Sequence, residues 1–436
     1  MISLDELADR RERLLKSLGN AIGVVFAGDA VADLTTPFRP HGHFEYLTGV
    51  TDEPGAMLLL DPLNPVAARR TTLFLRPIDP ELNQWDGLRD PIGGSLKAQY
   101  GIATIQRTPA LPRWLLLAAQ RSKRCACLHP LAAHTAPVSP DLDLFRRVSE
   151  RVPGCAIEDR SMAIPELRSR KSAAEVAAIQ RAVDATSAGF HAVMRGLRAG
   201  ITEFDVQTLA ERAYVDCGAR RTAYRTIAGA GINSTVLHYH ANDREIRSGD
   251  LLCLDSGASV DGYCADITRT LPADGRFTPR QREVYGVVLA AQKAAIAAAR
   301  AGRTLMELDA IARRVIDAAG FGDAFIHGIG HHLGIETHDP APDLPLPVGA
   351  VITIEPGVYL PEEAIGIRIE DDVLIGRASA TVLSSLIPKE IDEIESVMAG
   401  SAAINGATAK AGRSRREAKP ARTASRGGSG ASSRRR

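Results

Sequence analysis

Residues 327–339, HGIGHHLGIETHD, gather imidazole side chains in one short stretch. Four of the chain's 11 histidines lie here, among three glycines: His327, His331, His332 and His338. Imidazole changes charge close to neutral pH, and it is the commonest metal ligand in proteins. One histidine is usually an ordinary core or surface residue, whereas four together favour proton transfer or metal binding. Which chemistry applies depends on whether carboxylates from elsewhere in the chain reach the same place.

A first pair of carboxylates lies in GDLLCLDSGASVDGYCADITRTLP, where two strand-like runs flank a turn. A four-residue turn over 259–262 would make Asp255 and Asp266 direct cross-strand partners, with Cβ atoms ~5 Å apart. The dipeptide Asp261-Gly262 is also a turn signal, and it would centre the hairpin one residue later. Two facing acids are unfavourable unless a cation or a proton lies between them.

A second pair of carboxylates repeats this arrangement in VITIEPGVYLPEEAIGIRIEDDVLI. Glu355 and Glu370 are placed symmetrically about an acidic, proline-containing loop, and both lie inside strongly apolar strands. A single acid in a strand usually faces solvent, but two hairpins with the same feature favour a common site. Four carboxylates and a histidine indicate two divalent ions, because one ion would leave negative charge uncompensated.

Two other ligand patterns are weaker. His327 and His331 have the H-x-x-x-H spacing that binds zinc on a helix, but Gly328 and Gly330 disfavour a helix there. Cys253 and Cys264 have spacing that would place them on the same face as the two aspartates. Small core residues are the favoured interpretation of these cysteines.

The first part of the chain alternates between strand and helix patterns, as is typical of a small α/β domain. Proline and glycine residues between 153 and 165 punctuate its end, so the sequence predicts an amino-terminal domain over residues 1–165. The predicted strands are 21–28, 56–61 and 71–77, and the predicted helices are 4–18, 112–121 and 141–150.

The second part combines long helices with antiparallel strands, which predicts an α+β domain over residues 166–397. Three helix starts have a Ser or Thr followed three residues later by Glu or Gln, the capping-box pattern. They are Ser172, Thr278 and Thr304. The strand-like runs that hold the acids are 250–258, 263–271, 351–359 and 366–375.

The composition is that of a soluble globular protein, with 45% hydrophobic and 24% charged residues. The sequence contains no run of 18 apolar residues and no secretory signal pattern, so we expect neither a membrane span nor export. The six cysteines form no CxxC motif or dense framework, which favours reduced thiols and a cytoplasmic location.

The carboxyl-terminal residues 398–436 differ from the rest of the chain. From residue 400 onward there are ten Lys or Arg residues and one acid, a net charge of +9, whereas the whole chain carries +1. The remainder is therefore acidic, at −8. The segment has almost no large apolar residues, so it is predicted to be disordered. A solubilising extension is favoured over a nucleic-acid anchor.

Several ordered blocks resemble the metallopeptidases of the pita-bread fold, and within them aminopeptidase P and prolidase. These blocks are LHYH (237–240), LDSGASVDGYCADITRT (254–270), HGIGHHLGIETHD (327–339), IEPGVYL (354–360) and GIRIEDDV (366–373). The stretch GHFEYLTG (42–49) is also similar to the aminopeptidase P amino-terminal domain, although His43 stands where the family usually has Asp. The resemblance implies a curved antiparallel sheet flanked by helices, with a smaller α/β domain before it.

The resemblance also implies a ligand set and roles. Two divalent metal ions, usually Mn²⁺, would be held by Asp255, Asp266, His331, Glu355 and Glu370. Asp266 and Glu370 would bridge the ions, and Glu355 would also carry the proton of the attacking water to the leaving nitrogen. His238, His327 and His338 match the remaining site histidines, which would orient the peptide. Tyr224 and Arg368 match supporting positions that contact the substrate or the ligands.

The expected function is therefore that of a cytoplasmic Xaa-Pro aminopeptidase, which releases the residue before a proline in second position. Two alternatives stay open: an Xaa-Pro dipeptidase with the same metal site, and a non-catalytic peptide-binding protein on the same fold. The chain is expected to form a homo-oligomer, a dimer or a tetramer. Trp85 is a candidate for the substrate pocket, within its own chain or across a subunit interface, and an ordinary packed tryptophan is the alternative.

Overall fold

The computed structural model describes residues 2–30 and 37–400. Within those ranges, no helix is both long enough and apolar enough to cross a membrane. The chain forms an amino-terminal α/β part and a carboxyl-terminal part in which every strand pairing is antiparallel, as predicted. Residues 391–400 are helical, and the rest of the predicted disordered tail, from residue 401, lies outside the described residues.

The amino-terminal part is built on one mixed six-stranded sheet. Its strands are β1 (Ile22–Phe26), β2 (Met57–Leu60), β3 (Thr71–Leu75), β4 (Thr104–Arg107), β5 (Arg124–Cys127) and β6 (Ala156–Asp159). Their order is β4-β3-β2-β1-β5-β6. The three predicted strands are confirmed, and β4 to β6 were missed because each is only four residues long, with little apolar alternation.

Both faces of this sheet are covered, because successive side chains of a strand point to opposite faces. Val25 joins the large core that continues into the carboxyl-terminal part, whereas Val24 joins a smaller cluster with Leu115 and Phe145 on the other face. The helices of this part are α1 (Leu4–Leu18), α2 (Gly42–Thr48), α3 (Pro80–Asp86), α4 (Gly94–Tyr100), α5 (Leu111–Ser122) and α6 (Pro140–Ser149).

The carboxyl-terminal part contains five α-helices before residue 320, and the starts of three of them were predicted from their caps. These helices are α7 (Ala163–Ser169), α8 (Ala173–Gly196), α9 (Glu203–Asp216), α10 (Pro279–Ala298) and α11 (Leu305–Ala318). Ser172, Thr278 and Thr304 each form a complete capping box, which satisfies backbone N–H groups that have no partner in the first helical turn. Residue 165, where the sequence predicts a domain boundary, lies within α7.

Each of the four predicted strand runs is interrupted, and most of the candidate ligands lie at the interruptions. The first two runs give β9 (Leu251–Ser256), β10 (Ala258–Val260), β11 (Tyr263–Cys264) and β12 (Ile267–Pro272). The other two give β13 (Val351–Ile354), β14 (Gly357–Leu360), β15 (Ile365–Arg368) and β16 (Asp371–Ile375). Short strands β7 (Arg221–Thr222), β8 (Ile227–Ala230) and β17 (Ala380–Val382) complete the sheets.

The first hairpin turns at Asp261-Gly262, the later of the two centres that the sequence allows. Asp255 is therefore opposite Thr268, and the direct pairing of Asp255 with Asp266 is wrong. Moving the centre by one residue shifts the partner by two positions, which keeps both acids on one face. They are diagonal neighbours, and both positive φ angles in the turn, 51° at Asp261 and 85° at Gly262, suit such a tight hairpin.

The second hairpin has the predicted register. Ile354 is opposite Asp371 and Gly357 is opposite Arg368, which places Glu355 and Glu370 across from each other between two short ladders. The backbone of Glu370 leaves this hairpin and donates to the carbonyl oxygen of Thr268 at 3.1 Å. The break in the ladder therefore joins the second hairpin to the first, and the four acids meet at that junction.

Candidate metal centre

The four acids line one cavity of about 520 Å³ at the junction of the two hairpins. The other walls come from the loop before β8, from residues 237–240 and from the histidine-rich loop after α11. The predicted site residues that line it are Tyr224, His238, Asp255, Asp266, His327, His331, His338, Glu355, Arg368 and Glu370. Trp85 is the one predicted site residue that does not line this cavity.

Three of the predicted ligands offer atoms that all lie within 4.8 Å of one another: Asp266, His331 and Glu370. The Nε2 atom of His331 lies 3.4 Å from Asp266 Oδ2 and 3.6 Å from Glu355 Oε1. Its Nδ1 atom donates to the carbonyl oxygen of His332 at 3.1 Å, which directs Nε2 at the carboxylates. Such an orienting bond is typical of histidines that bind metals.

The carboxylates are crowded and short of positive charge. Burial, followed by the charges of Asp266 and the other acids, raises the pKa of Glu370 well above its ordinary value. Burial also raises the pKa of Glu355 to about 7, although the neighbouring His331 and Arg368 oppose the shift. For Asp255 the pKa is raised as well, by burial first, against the opposing charge of Arg368.

This donor set fits divalent cations. Carboxylate oxygens are the ligands that hard cations prefer, and one imidazole suits a transition metal such as manganese. The pKa of His331 rises to about 9, because its hydrogen bond and attraction to Asp266 outweigh the opposing effect of burial. In other words, the site attracts a positive charge to the place where the carboxylates meet.

Arg368 is the cation that the protein itself supplies. Its guanidinium is buried and donates to Asp255 Oδ2 at 2.6 Å and to the hydroxyl oxygen of Tyr359 at 2.8 Å. The Tyr359 hydroxyl in turn lies 2.8 Å from His327 Nε2. This chain of bonds ties one end of the carboxylate cluster to the histidine-rich loop.

Tyr224 connects the first two acids. Its hydroxyl donates to Asp255 Oδ1, and it lies 2.5 Å from Asp266 Oδ1. Burial and the facing carboxylates raise the pKa of the phenol well above its ordinary value, so it stays a donor. The structure therefore places Tyr224 on the ligands, as one of the two predicted supporting contacts.

The three other predicted histidines have different surroundings. His338 packs its ring against that of His331, with centroids 4.1 Å apart, and His238 lines the same cavity. His327 accepts from Tyr359 through Nε2, and its Nδ1 atom lies 2.9 Å from the carbonyl oxygen of Gly328. Both ring nitrogens of His327 are thus engaged, and burial lowers its pKa to about 4.

Cys253, Cys264 and His332 were considered in the sequence as alternative ligands or as structural residues. Cys253 and Cys264 are buried core residues, and Cys264 Sγ contacts the carbonyl oxygen of Ile335 at 3.4 Å. His332 forms a β-bridge with Ile352 and is buried, in keeping with a structural role. The H-x-x-x-H helix does not form, since residues 325–330 have no helical turn.

Trp85 lies on α3 with 81% of its surface exposed. The alternative of an ordinary packed tryptophan is therefore wrong. Contact with the substrate within the same chain finds no support either, because the side chain lies outside the cavity.

Sequence reasoning missed several residues that hold the site together. Thr268 Oγ1 donates to Glu370 Oε2 at 2.6 Å, and Tyr359 links Arg368 to His327 as described above. His240 also lines the cavity, with its ring parallel to that of His238. All three stand inside the blocks quoted from the sequence, but hydroxyl and ring contacts across separate hairpins leave no periodic signal.

Comparison with known families matches both parts of the chain. Residues 177–377 match the model of metallopeptidase family M24, and residues 7–126 match the model of the aminopeptidase P N-terminal domain. The first region contains every predicted ligand, and the second contains the GHFEYLTG stretch.

Individual relatives are similar over most of the chain. A Xaa-Pro aminopeptidase of Haemophilus influenzae is 31% identical over 400 residues, which cover 84% of this chain and 90% of that protein. The structure of aminopeptidase P from E. coli with the inhibitor Pro-Leu has a TM-score of 0.81 and 27% identity, covering 92% of this chain and 99% of that one. A Xaa-Pro dipeptidase of Pyrococcus furiosus is 39% identical over 226 residues, covering 51% of this chain and 64% of that protein.

Proposed function

The chain belongs to the aminopeptidase P family within the M24 metallopeptidases, and we propose that it releases the N-terminal residue from peptides with proline in second position. It is a metalloaminopeptidase with the pita-bread fold. The observation that carries the proposal is the cluster of four buried carboxylates and His331 at the junction of two hairpins.

Family membership implies divalent metal ions, and we propose two Mn²⁺ ions. Asp266 and Glu370 would contact both ions, Asp255 would complete the ligands of one, and His331 and Glu355 those of the other. A bound pair of cations would lower the pKa of the attacking water and polarise the scissile carbonyl. The raised pKa values of Glu355 and Glu370 support the proposal, because these acids lack enough protein cations to be stable as carboxylates.

Glu355 is the proposed proton carrier. Its carboxyl group lines the cavity, with Oε1 3.6 Å from His331 Nε2, so it would lie next to the attacking water. The carboxylate would take a proton from the attacking water and pass it to the nitrogen of the leaving proline. Thr353 Oγ1 lies 3.4 Å from Glu355 Oε1 and helps to hold this carboxyl group in place.

The neighbouring side chains would bind and orient the peptide. His238 and His338 line the cavity on the side of His331 and could donate to the scissile carbonyl oxygen. His327, with both nitrogens engaged, would act by holding the Tyr359 hydroxyl. Tyr224 and Arg368 would fix the acids of the first hairpin while the substrate is bound.

The main alternative is an Xaa-Pro dipeptidase. The similar dipeptidase matches only about half of this chain, whereas the aminopeptidases match nearly all of it, including the amino-terminal part. The inhibitor Pro-Leu in the E. coli structure corresponds to the part of an Xaa-Pro-Leu peptide that remains after cleavage. These two observations support a substrate that continues beyond the proline.

The test compares three substrates in parallel with added Mn²⁺: Xaa-Pro-Yaa, Xaa-Pro and Xaa-Ala-Yaa. We expect kcat/KM to be at least ~10-fold higher for Xaa-Pro-Yaa than for either of the others, which corresponds to one good pocket contact. A preference for the dipeptide would favour prolidase and leave the metal chemistry intact. Equal cleavage of Xaa-Ala-Yaa would contradict both proline-specific functions.

A homo-oligomer, dimer or tetramer, is proposed on the basis of the exposed segment around α3. Trp85 and Leu88 are 81% and 93% exposed, and large apolar side chains gathered at a surface commonly mark an interface. In such an assembly Trp85 could reach the substrate of a neighbouring subunit. The domain bounds 1–165, 166–397 and 398–436 and the cytoplasmic location also stay predictions.

A further inference from the structure

Two cysteines of the amino-terminal part are in contact. The Sγ atoms of Cys125 and Cys155 lie 3.3 Å apart. Cys125 is in β5 and is fully buried, whereas Cys155 lies just before β6 and is partly exposed. The contact lies in the small apolar cluster on one face of the amino-terminal sheet, and neither cysteine lines the metal cavity.

The fold holds the two residues together from both sides. Strands β5 and β6 pair in parallel, with Arg124 opposite Ala156, and the Ala156 N–H donates to the carbonyl oxygen of Lys123 at 2.9 Å. The side chain of Lys123 reaches the preceding turn and donates to the carbonyl oxygen of Pro153 at 3.1 Å. Cys155, between these two anchors, therefore has little freedom to move away from Cys125.

The two thiols differ in access. Burial, together with the hydrogen bond to Cys155, raises the pKa of Cys125, so Cys125 is not the thiol that reacts first with an oxidant. Next to Cys155, Gly154 has a φ of 76°, and open space lies where a Cβ atom would be. Because Cys155 is partly exposed and Cys125 is fully buried, a small oxidant meets Cys155 first.

The other four cysteines provide an internal comparison. Cys127, Cys253 and Cys264 are buried, and Cys217 is exposed at the end of α9. In the described chain, which includes all six cysteines, none of these four has a sulfur–sulfur hydrogen bond. The pair is thus distinguished by contact and by access together, which neither burial nor exposure alone provides.

We propose that Cys125 and Cys155 form a redox modification site at which hydrogen peroxide converts the two thiols into an intramolecular disulfide. In the first step the Cys155 sulfur attacks the peroxide, an S–O bond forms, the O–O bond breaks, and water leaves. In the second step the Cys125 sulfur attacks the Cys155 sulfur, the S–S bond forms and the S–O bond breaks, and the Cys125 thiol proton goes to the leaving hydroxyl group, which departs as a second water. Two thiols are oxidised, and one peroxide is reduced to two waters.

The geometry requires only a small movement. A disulfide has an S–S length of about 2.05 Å, so the sulfurs must approach by roughly 1.3 Å. The turn at 150–154 can supply this, because most of its residues are exposed. The bond would connect β5 to the start of β6 across α6, and closing a loop of this length stabilises a fold by restricting its unfolded state.

The test treats the reduced full-length chain with hydrogen peroxide, blocks the remaining thiols under denaturing conditions and maps tryptic peptides. We expect the loss of two of the six thiols and a link between peptides 125–146 and 152–160. Because peptide 125–146 also contains Cys127, the variant Cys127→Ser must form the same link. The melting temperature should rise on oxidation and return on treatment with dithiothreitol.

Cys155→Ser is the matched control, and it should lose both the link and the rise in melting temperature. Cys217→Ser removes an exposed thiol and should keep both. The proposal is overturned if Cys125 and Cys155 both stay reduced at peroxide doses that oxidise Cys217, if the link joins Cys127 instead of Cys125, or if it forms only between chains on a non-reducing gel.

Discussion

Glu370 and Asp371 are adjacent in sequence and equally buried, yet their environments have opposite effects. Burial and neighbouring acids raise the pKa of Glu370 well above its ordinary value. Burial opposes ionisation of Asp371 too, but the charges of Arg269 and Lys389 outweigh it and lower the pKa of that carboxyl group. Neighbouring residues of one strand end point to opposite faces, so one enters the cavity and the other enters a paired cluster.

The same contrast holds for larger groups of residues. Asp371 accepts from Arg269 Nη2 at 2.7 Å and from Lys389 Nζ at 2.6 Å. Asp339 is likewise held by the two buried cations Arg168 and Lys171. The four acids of the cavity, by comparison, share one arginine, Arg368, and the imidazole of His331.

This difference in the number of nearby protein cations distinguishes acids that stabilise the fold from acids that are proposed to bind metal ions. A buried carboxylate is tolerated when cations and hydrogen bonds replace the lost water. The cavity lacks that compensation although the chain provides it for the adjacent Asp371, and bound cations would supply it. The count of nearby protein cations, rather than burial alone, distinguishes the two sets.

The largest effect should come from removing Asp266 or Glu370, the two proposed bridging acids among the four acids of the cavity. Asp266→Ala or Glu370→Ala is expected to reduce turnover of Xaa-Pro-Yaa to background and to lower bound metal, because each acid would contact both ions. Elemental analysis and kcat/KM measured side by side provide the test. Glu363→Ala is the control, since its carboxylate lies on the outer loop of the same hairpin, paired with Arg280. Normal metal content and turnover in either ligand variant would break the assignment.

A second test replaces Glu370 and Asp371 separately by the corresponding amides in metal-free protein. Asp371→Asn leaves Arg269 and Lys389 without their carboxylate, and we expect it to lower the free energy of unfolding by about 3–5 kcal/mol. Glu370→Gln should have the opposite sign, because it removes an acid that cannot ionise comfortably while its amide oxygen can still accept from Thr268. Chemical denaturation after chelation measures both values.

The pH dependence of Glu370→Gln follows from the direction of the pKa shift. With its folded-state pKa raised, Glu370 contributes most favourably below about pH 4.3, the ordinary pKa of a glutamate, and its contribution is lost as pH rises toward the raised value. The stabilisation by Gln should therefore be larger at pH 8 than at pH 5. Equal gains at both values would indicate that Glu370 ionises normally without metal.

Much of this contrast between the cavity acids and the cation-paired acids could not be predicted from the sequence. The caps at Ser172, Thr278 and Thr304 predicted three helix starts, because capping depends on residues three positions apart. The second hairpin's register also followed from its symmetric acids. The compensating cations could not be predicted, since Arg168 is far from Asp339 along the chain and meets it only after folding. Similarly, the strand breaks at Glu355 and Glu370 come from hydrogen bonds to other segments.

Asp339 is a buried acid next to the site that is paired with Arg168 and Lys171, so it allows a test of how much such cations stabilise a buried carboxylate. Burial raises its pKa, but Lys171 and Arg168 outweigh burial and bring the value to about 2. Relative to an ordinary aspartate this corresponds to about 2 kcal/mol of stability at neutral pH. Asp339→Asn should lose that amount, and the loss should shrink as pH falls from about 4 toward 2. Denaturation across pH provides the measurement.

The activity of Asp339→Asn provides a second measurement. The Asp339 backbone N–H donates to the carbonyl oxygen of His332 at 2.9 Å, and its side chain accepts from the N–H of Glu336. These bonds shape the loop that carries His338, so kcat should fall as well. Asp143→Asn removes an exposed partner of Arg147 and should cost less than about 0.5 kcal/mol with unchanged kcat. Equal effects of the two variants would remove the distinction between buried and exposed pairs.

The smallest expected effect concerns His43, which stands where the family usually has Asp and faces the same cation as Asp339. The Nδ1 atom of His43 accepts from Arg168 Nη1 at 2.9 Å. Burial lowers the pKa of His43 to about 2, and the charges of Arg168, His41 and His129 act in the same direction, whereas Asp339 opposes the shift. The unfolded chain takes up a proton below about pH 6.5 while folded His43 stays neutral, so stability should fall as pH drops from there, by up to about 1.4 kcal/mol per unit.

His43→Asn keeps an acceptor for Arg168 but cannot titrate. Between pH 7 and pH 5.5 the variant should therefore lose about 1 kcal/mol less stability than the wild type, as measured by urea denaturation at each pH. His41, which is partly buried, and His129, which is buried, lie beside it with lowered pKa values, so part of the slope should remain. His134→Asn, which removes an exposed imidazole, should leave the slope unchanged. Identical slopes for His43→Asn and wild type would mean that His43 takes up a proton in the folded protein as it does in the unfolded chain. Burial and the nearby charge of Arg168 would then not keep His43 neutral, and the contrast between the two sets of buried groups would fail at this point.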